Sequence, residues 1–289
     1  MKKPLLSLLI LLLAPSAFGF IPPLPSLMKE VLGDRKAQVG VEATLKHRVI
    51  VAPNQIVDIE ERIVRDSSGV YFLWRIPGNA PIAAMHEKQG YALSKERVYP
   101  SRSTIFWKYL VDSSEDAVRD SLLTERFVRR DQFYQYKQGF NPTGDPSTWN
   151  LKENYVRHDD IYREKLPSGV AIAVKGYEEG NTARIVYFED RLRDNRSRGL
   201  SRLEWRDADV VAAWSFSGFG KSIWENSYLP KHAQLDVNNS NVITTEIVSV
   251  RALKDRALFD AKSAWKAAAK SINVNSNVEP ALKILVSYR

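Results

Sequence analysis

The chain has 289 residues, with no cysteine, 44% hydrophobic and 10% aromatic residues, and a formal net charge of +8. The missing cysteine excludes disulfides, thiol nucleophiles, cysteine metal sites and a lipidated cysteine anchor. The apolar and aromatic content excludes a disordered chain, and a moderate basic excess does not by itself name an acidic partner.

Met1-Lys2-Lys3, an apolar run from Pro4 to Ala14 and the small-x-small step Ala17-Phe18-Gly19 have the order of a secretory signal peptide. The run is too short to cross a bilayer comfortably, and no second stretch of comparable length follows. The expected organisation is a signal peptide over 1–19 and one domain over 20–289. The mature chain is expected to be soluble in the periplasm, without a lipid anchor.

Ser26 opens a predicted short helix with Leu27, Met28, Val31 and Leu32 on one face, stopped at Gly33. From Val39 to Val51, apolar residues alternate with mostly polar ones, the period of a long strand with one wet face. Residues 55–65 and 70–76 read as a hairpin around Asp66-Ser67-Ser68-Gly69. Residues 91–99 and 104–111 read as a second strand pair. A helix is predicted after Ser113 or Ser114, with Ser113 and Asp116 as its capping box, running through Leu122 and Leu123. Residues 133–155 read as a long aromatic loop with helical turns.

Strands are predicted at 170–177, 182–188, 203–214, 232–237 and 242–250. Arg191 to Arg202 reads as an exposed basic loop. Asp260 begins a predicted helix to Ile272, and residues 282–288 a closing strand. The fold class is mainly β with helices (α+β): a highly curved antiparallel sheet forming an incomplete barrel covered by helices.

No motif announces catalysis. The four histidines have no paired spacing, and His158-Asp159-Asp160 does not reproduce a tetrahedral zinc set. Gly218-Phe219-Gly220-Lys221-Ser222 lacks a phosphate loop's spacing. Glu60-Glu61 and Glu178-Glu179 are neighbours in sequence that do not oppose two carboxyls across a substrate. The reading is therefore not an enzyme, with no metal and no cofactor; a hydrolase built from distant residues needs His158, Asp159 and a further acid or histidine in one cleft. The arginines 191–206 form one local cluster without an RNA-binding motif, so no nucleic acid is expected. Strand-borne aromatics such as Trp74, Tyr187 and Trp205 suit a concave apolar wall, with ordinary core packing as the competing use.

The order of elements resembles the periplasmic lipoprotein carrier (LolA-like) family and its wider outer-membrane lipoprotein-sorting superfamily. The local match is Tyr228-Leu229-Pro230-Lys231 before a strand, the polar turn Asn238 to Asn241, another strand, and Ala257-Leu258-Phe259-Asp260. The resemblance covers Leu24 to Asp260 loosely; residues 139–165 have no counterpart, and a C-terminal helix and strand are extra. It implies binding or carriage of lipoprotein acyl chains or another apolar ligand, with Phe72, Trp74, Trp107, Leu122, Leu123, Tyr187, Trp205 and Trp214 as ligand-binding candidates. The alternative is an envelope interaction or lipoprotein-sensing protein that carries no cargo. Envelope membrane proteins are then the further partners, and the oligomeric state stays open.

Overall fold

A computed structural model describes residues 21–33, 35, 38, 40–67, 69–86, 89–91, 104–112, 114–141, 143–191, 198–224, 227–253 and 278–288. Helix α1 (Leu24–Leu32) is followed by strands β1 (Gly40–Ala52), β2 (Gln55–Asp66), β3 (Gly69–Arg75), β4 (Pro81–His86) and β5 (Gln89–Tyr91). Helices α2 (Ile105–Val111), α3 (Glu115–Thr124) and the single turn α4 (Leu151–Asn154) come next. Strands β6 (Ile161–Leu166), β7 (Gly169–Glu179), β8 (Thr182–Glu189), β9 (Leu200–Asp207) and β10 (Val210–Ser217) follow. A small ribbon of β11 (Gly220–Lys221) and β12 (Tyr228–Leu229) precedes β13 (His232–Val237), β14 (Ser240–Ala252) and helix α5 (Glu279–Ser287).

Twelve strands form one sheet in the order β5-β4-β3-β2-β1-β14-β13-β10-β9-β8-β7-β6. Every neighbouring pair is antiparallel, mostly joined by short turns. Longer segments join β8 to β9 and β10 to β13, and β1 pairs with the distant β14, which welds the two halves through pairs such as His47↔Thr245 and Val49↔Ile243. The edge strands β5 and β6 do not pair with each other, so the sheet stays open.

One side of this sheet is the core. Val41, Ala43, Leu45 and Val49 of β1 lie in a single apolar cluster with Ile59 and Ile63 of β2, Phe72 and Trp74 of β3, Leu203 and Trp205 of β9, and Trp214 of β10. Its other boundary is helical. Leu24, Leu27, Met28, Val31 and Leu32 of α1, most of α2, Val118 and Leu122 of α3, and Leu282 and Leu285 of α5 all enter the same cluster. The opposite face of the sheet is charged and cross-braced. Glu42 accepts from Arg62 at 2.8 Å and from Arg251 at 3.1 Å, linking β1, β2 and β14. Burial raises the pKa of Glu42, but the hydrogen bonds and charge of Arg62 and Arg251 outweigh it and hold the carboxyl below its ordinary range.

Several elements differ from the sequence reading. Residues 104–111, expected as a strand, form α2: its buried Ile105, Phe106, Tyr109 and Leu110 fall at helical spacing, and the run is too short for composition to decide. Residues 282–288, expected as a closing strand, belong instead to α5. Pro280 stands in the first turn, and Ala281, Leu282, Leu285 and Val286 share one buried face. Helix α1 begins at Leu24 rather than Ser26, with a proline in its first turn. Ser114, whose side chain accepts from the Ala117 amide at 3.4 Å, caps α3. Strand β6 has no counterpart in the sequence reading. Most of 91–99 and all of 260–272 lie outside the described residues.

Candidate functional site

Helix α2 divides the concave side. On one flank, Phe72 stacks with Trp74 at 5.9 Å between ring centres and meets Trp107 of α2 edge-on at 5.5 Å. On the other, Phe106 of α2 stacks on Trp214 at 4.7 Å and on Phe216 at 5.9 Å. A third contact lies beyond α3, where Phe127 meets Trp205 edge-on at 5.3 Å. Consecutive residues of one short helix thus engage two walls of the sheet.

The helices are pinned by polar struts at their ends. Arg35 donates to the carbonyls of Leu32, Tyr109 and Asp112, joining the last turns of α1 and α2, while its guanidinium lies 4.4 Å from the centre of the Trp224 ring. A cation suits those carbonyl ends. Burial pushes Arg35 down to about 10, which leaves it charged at neutral pH. Asp112 also pairs with Arg65 of β2. The indole Nε1 of Trp214 donates to the Tyr288 carbonyl at 2.5 Å, tying α5 into the interior.

One polar group interrupts this apolar side. His47 of β1 sits with its Nε2 2.9 Å from Glu61 of β2 and its Nδ1 2.8 Å from the Thr245 hydroxyl of β14, all fully buried. The carboxylate accepts from Nε2. The hydroxyl can donate to a neutral ring or accept from a protonated one, so both bonds of the His47 ring persist in either of its states. Among the buried indole donors, Nε1 of Trp205 and Nε1 of Trp224 have no acceptor among the described residues.

The eight residues nominated from sequence do not share one surface. Phe72, Trp74, Leu122, Trp205 and Trp214 are buried in the concave cluster, and Trp107 and Leu123 are half-buried against it. Tyr187 lies across the sheet, in a separate cluster with Ala171, Ala173, Ala183 and Ile185. The reason is period two: on β8, Val186 and Phe188 take the inner face and Tyr187 the outer. Burial pushes its phenol well above the ordinary range.

The basic stretch 191–202, expected as an exposed loop, contains a buried Arg198. Arg198 pairs with Glu30 of α1 and donates to the Glu189 carbonyl at 2.8 Å. Arg202 and Arg206 lie on β9 and flank Glu204 at 3.0 and 2.7 Å. Residues 192–197 lie outside the described residues. His158 donates from Nε2 to the Tyr134 carbonyl, Asp159 pairs with Arg157, and Asp160 pairs with Arg129. No group of three metal-ligating side chains occurs among the described residues.

Sequence reasoning missed the part of the aromatic interior that lies off the sheet: Phe106 and Tyr109 on α2, and Phe127 just beyond α3. For the first two the signal was present: apolar residues at 105, 106, 109 and 110 fit a helix face better than a strand.

No protein-family model matches the chain, and no curated protein matches it. Among solved structures it is similar to a LolA superfamily protein from Nitrosomonas europaea, with 8% identity, 84% of this chain and 100% of that chain covered, and a TM-score of 0.44. It is also similar to an outer membrane lipoprotein-sorting protein domain from Vibrio parahaemolyticus, at 10% identity, 84% and 99% coverage and a TM-score of 0.45. A DUF1329 family protein from Desulfovibrio piger gives 9% identity, 84% and 99% coverage and a TM-score of 0.38. Among the described residues no helix is long and apolar enough to cross a membrane.

Proposed function

We propose that this chain is an exported, non-enzymatic envelope protein that binds an apolar chain, of a lipoprotein or another amphiphile, on the concave face of its sheet. The observation that carries this is the arrangement of Phe72, Trp74, Trp205 and Trp214 on one curved apolar wall covered by short helices. The buried Nε1 of Trp205 adds a donor suited to an ester or amide oxygen of such a ligand. The leader-like sequence supports work in the periplasm, and no cofactor enters the reading.

The interior is filled by the protein's own aromatics, so a ligand must displace part of the cover. Helix α2 buries Ile105, Phe106, Tyr109, Leu110 and Val111. Exposing five such side chains costs roughly 8–15 kcal/mol at ~1.5–3 kcal/mol each. Burying an acyl chain of about sixteen carbons returns roughly 13 kcal/mol at ~0.8 kcal/mol per CH₂. The two terms are of one size, so long chains can replace the helix and short ones cannot.

A titration with fatty acids of increasing length tests this. The expected outcome is an affinity that rises about fourfold per added CH₂, with short chains failing to bind. Absence of binding at every length contradicts it. That result favours the second reading, an interaction or sensing protein whose concave side is permanently filled, as the fully buried Trp214 and its stack with Phe106 allow.

A further inference from the structure

At the rim where α3 ends, residues 126–130 alternate sharply in character. Phe127 and Val128 turn inward and are buried, whereas Arg126 and Arg130 are exposed and Arg129 half-exposed. The three arginines, with Leu123, Val128 and Tyr177, line a hollow of about 460 Å³. Among the described residues no carboxylate lines it. Acids do stand at its edge, on two of its lining residues: Asp131 and Asp160 accept from Arg129 at 3.1 and 2.7 Å, and Glu179 accepts from the Tyr177 hydroxyl at 2.5 Å, which leaves Arg126 and Arg130 as the cations facing the hollow.

The hollow is built rather than incidental. Arg126 holds a left-handed backbone conformation, φ 63°, that a non-glycine residue adopts at a cost. Its guanidinium lies 5.1 Å from the centre of the Tyr177 ring. The main chain of 126–128 lies so close to β7 that a Cβ at Gly176 would come within 2.4 Å of three of its backbone atoms. Directly inside this segment, Phe127 meets Trp205. A cationic rim therefore sits over the aromatic wall within consecutive residues.

We infer that this hollow receives the phosphate of an anionic amphiphile's headgroup, with Arg126 and Arg130 as its ligands; Arg129, neutralised by Asp131 and Asp160, shapes the wall without adding net charge. Planar guanidiniums bind phosphate oxygens in pairs, and an apolar floor suits the first carbons of the attached chain. The headgroup assignment rests on the chain-binding reading of the concave face for the source of the phosphate, not for the presence of an anion site.

Calorimetric titrations of the wild type and of the double variant Arg126→Ala/Arg130→Ala separate these. The probes are a short-chain phosphatidic acid, an uncharged diacylglycerol of the same chain length, and inorganic phosphate. Unchanged thermal midpoints establish that the variant folds. The expected result is that wild type prefers phosphatidic acid to diacylglycerol by at least tenfold, that the preference shrinks with salt, and that the double variant loses it while keeping diacylglycerol affinity. Inorganic phosphate bound through the arginines with neither lipid taken up supports the anion site and overturns the chain-binding reading alone. Equal affinity for the two lipids in wild type, or a preference that survives in the variant, overturns the headgroup site alone. Failure to bind any of the three probes overturns both.

Discussion

At the scale of single residues, chemistry and packing leave little choice at a few positions. Gly176 is one: the backbone of residues 126–128 occupies the space of a side chain there. Gly176→Ala should destabilise the fold by roughly 2–4 kcal/mol, because backbone atoms cannot retreat as side chains do; urea unfolding measures it. Glu42 is another. Its folded pKa is depressed, so its pairing with Arg62 and Arg251 stabilises the protein above the ordinary carboxylate range, and the contribution disappears as pH falls through the depressed value. Glu42→Gln should cost about 1–2 kcal/mol at pH 7, since both guanidiniums regain water, and the gap to wild type should close in acid. A gap that persists in acid points to packing rather than charge. Neither residue was legible as such. Glycine and glutamate are common, and only the register of neighbouring strands reveals what each faces.

At the scale of elements, the long alternation of β1 and the turn compositions before β3, β8 and β14 made much of the sheet readable, because period two and turn chemistry are local properties. Helices α2 and α5 were not read. Ile-Phe-Trp-Lys-Tyr-Leu-Val and Leu-Lys-Ile-Leu-Val-Ser-Tyr are dense in residues that favour strands, and burial on a helical face overrides that preference. The same limit explains Tyr187: aromatic identity says that a strand residue is buried, but its parity against Val186 and Phe188 decides on which face. Helix α2 also carries the mechanism. On adding a long-chain fatty acid, the amides of 105–111 should exchange with deuterium faster while those of β1 and β2 stay protected. Equal protection of α2 with and without bound chain contradicts a displaced helix.

At the scale of the whole molecule, two antiparallel meanders are held together through β1 and β14, and that pairing bridges most of the chain length. The broad class was legible because antiparallel hairpins leave a repeating signature; the pairing of β1 with β14 was not, since nothing in either strand names its partner. Thr244, opposite Arg48 on one side and Gln234 on the other, joins β14 to both of its neighbours in this weld. Thr244→Pro should abolish folding of both halves in a single cooperative step, costing more than about 3 kcal/mol. Circular dichroism during denaturation should show no surviving half; a residual sheet signal indicates that the halves fold separately. The concave aromatic wall exists only when both halves are joined, because Phe72 and Trp74 come from one and Trp205 and Trp214 from the other.

The central claim is that the concave side, and no other surface, takes an apolar chain. Photocrosslinking with a long fatty acid bearing a diazirine near its methyl end, mapped by peptide mass spectrometry, tests it most directly. Adducts are expected on α2 and on the strand segments bearing Phe72, Trp74, Trp205 and Trp214, with none at Tyr187 on the opposite face. Adducts confined to the Tyr187 face, or none at saturating probe, contradict it.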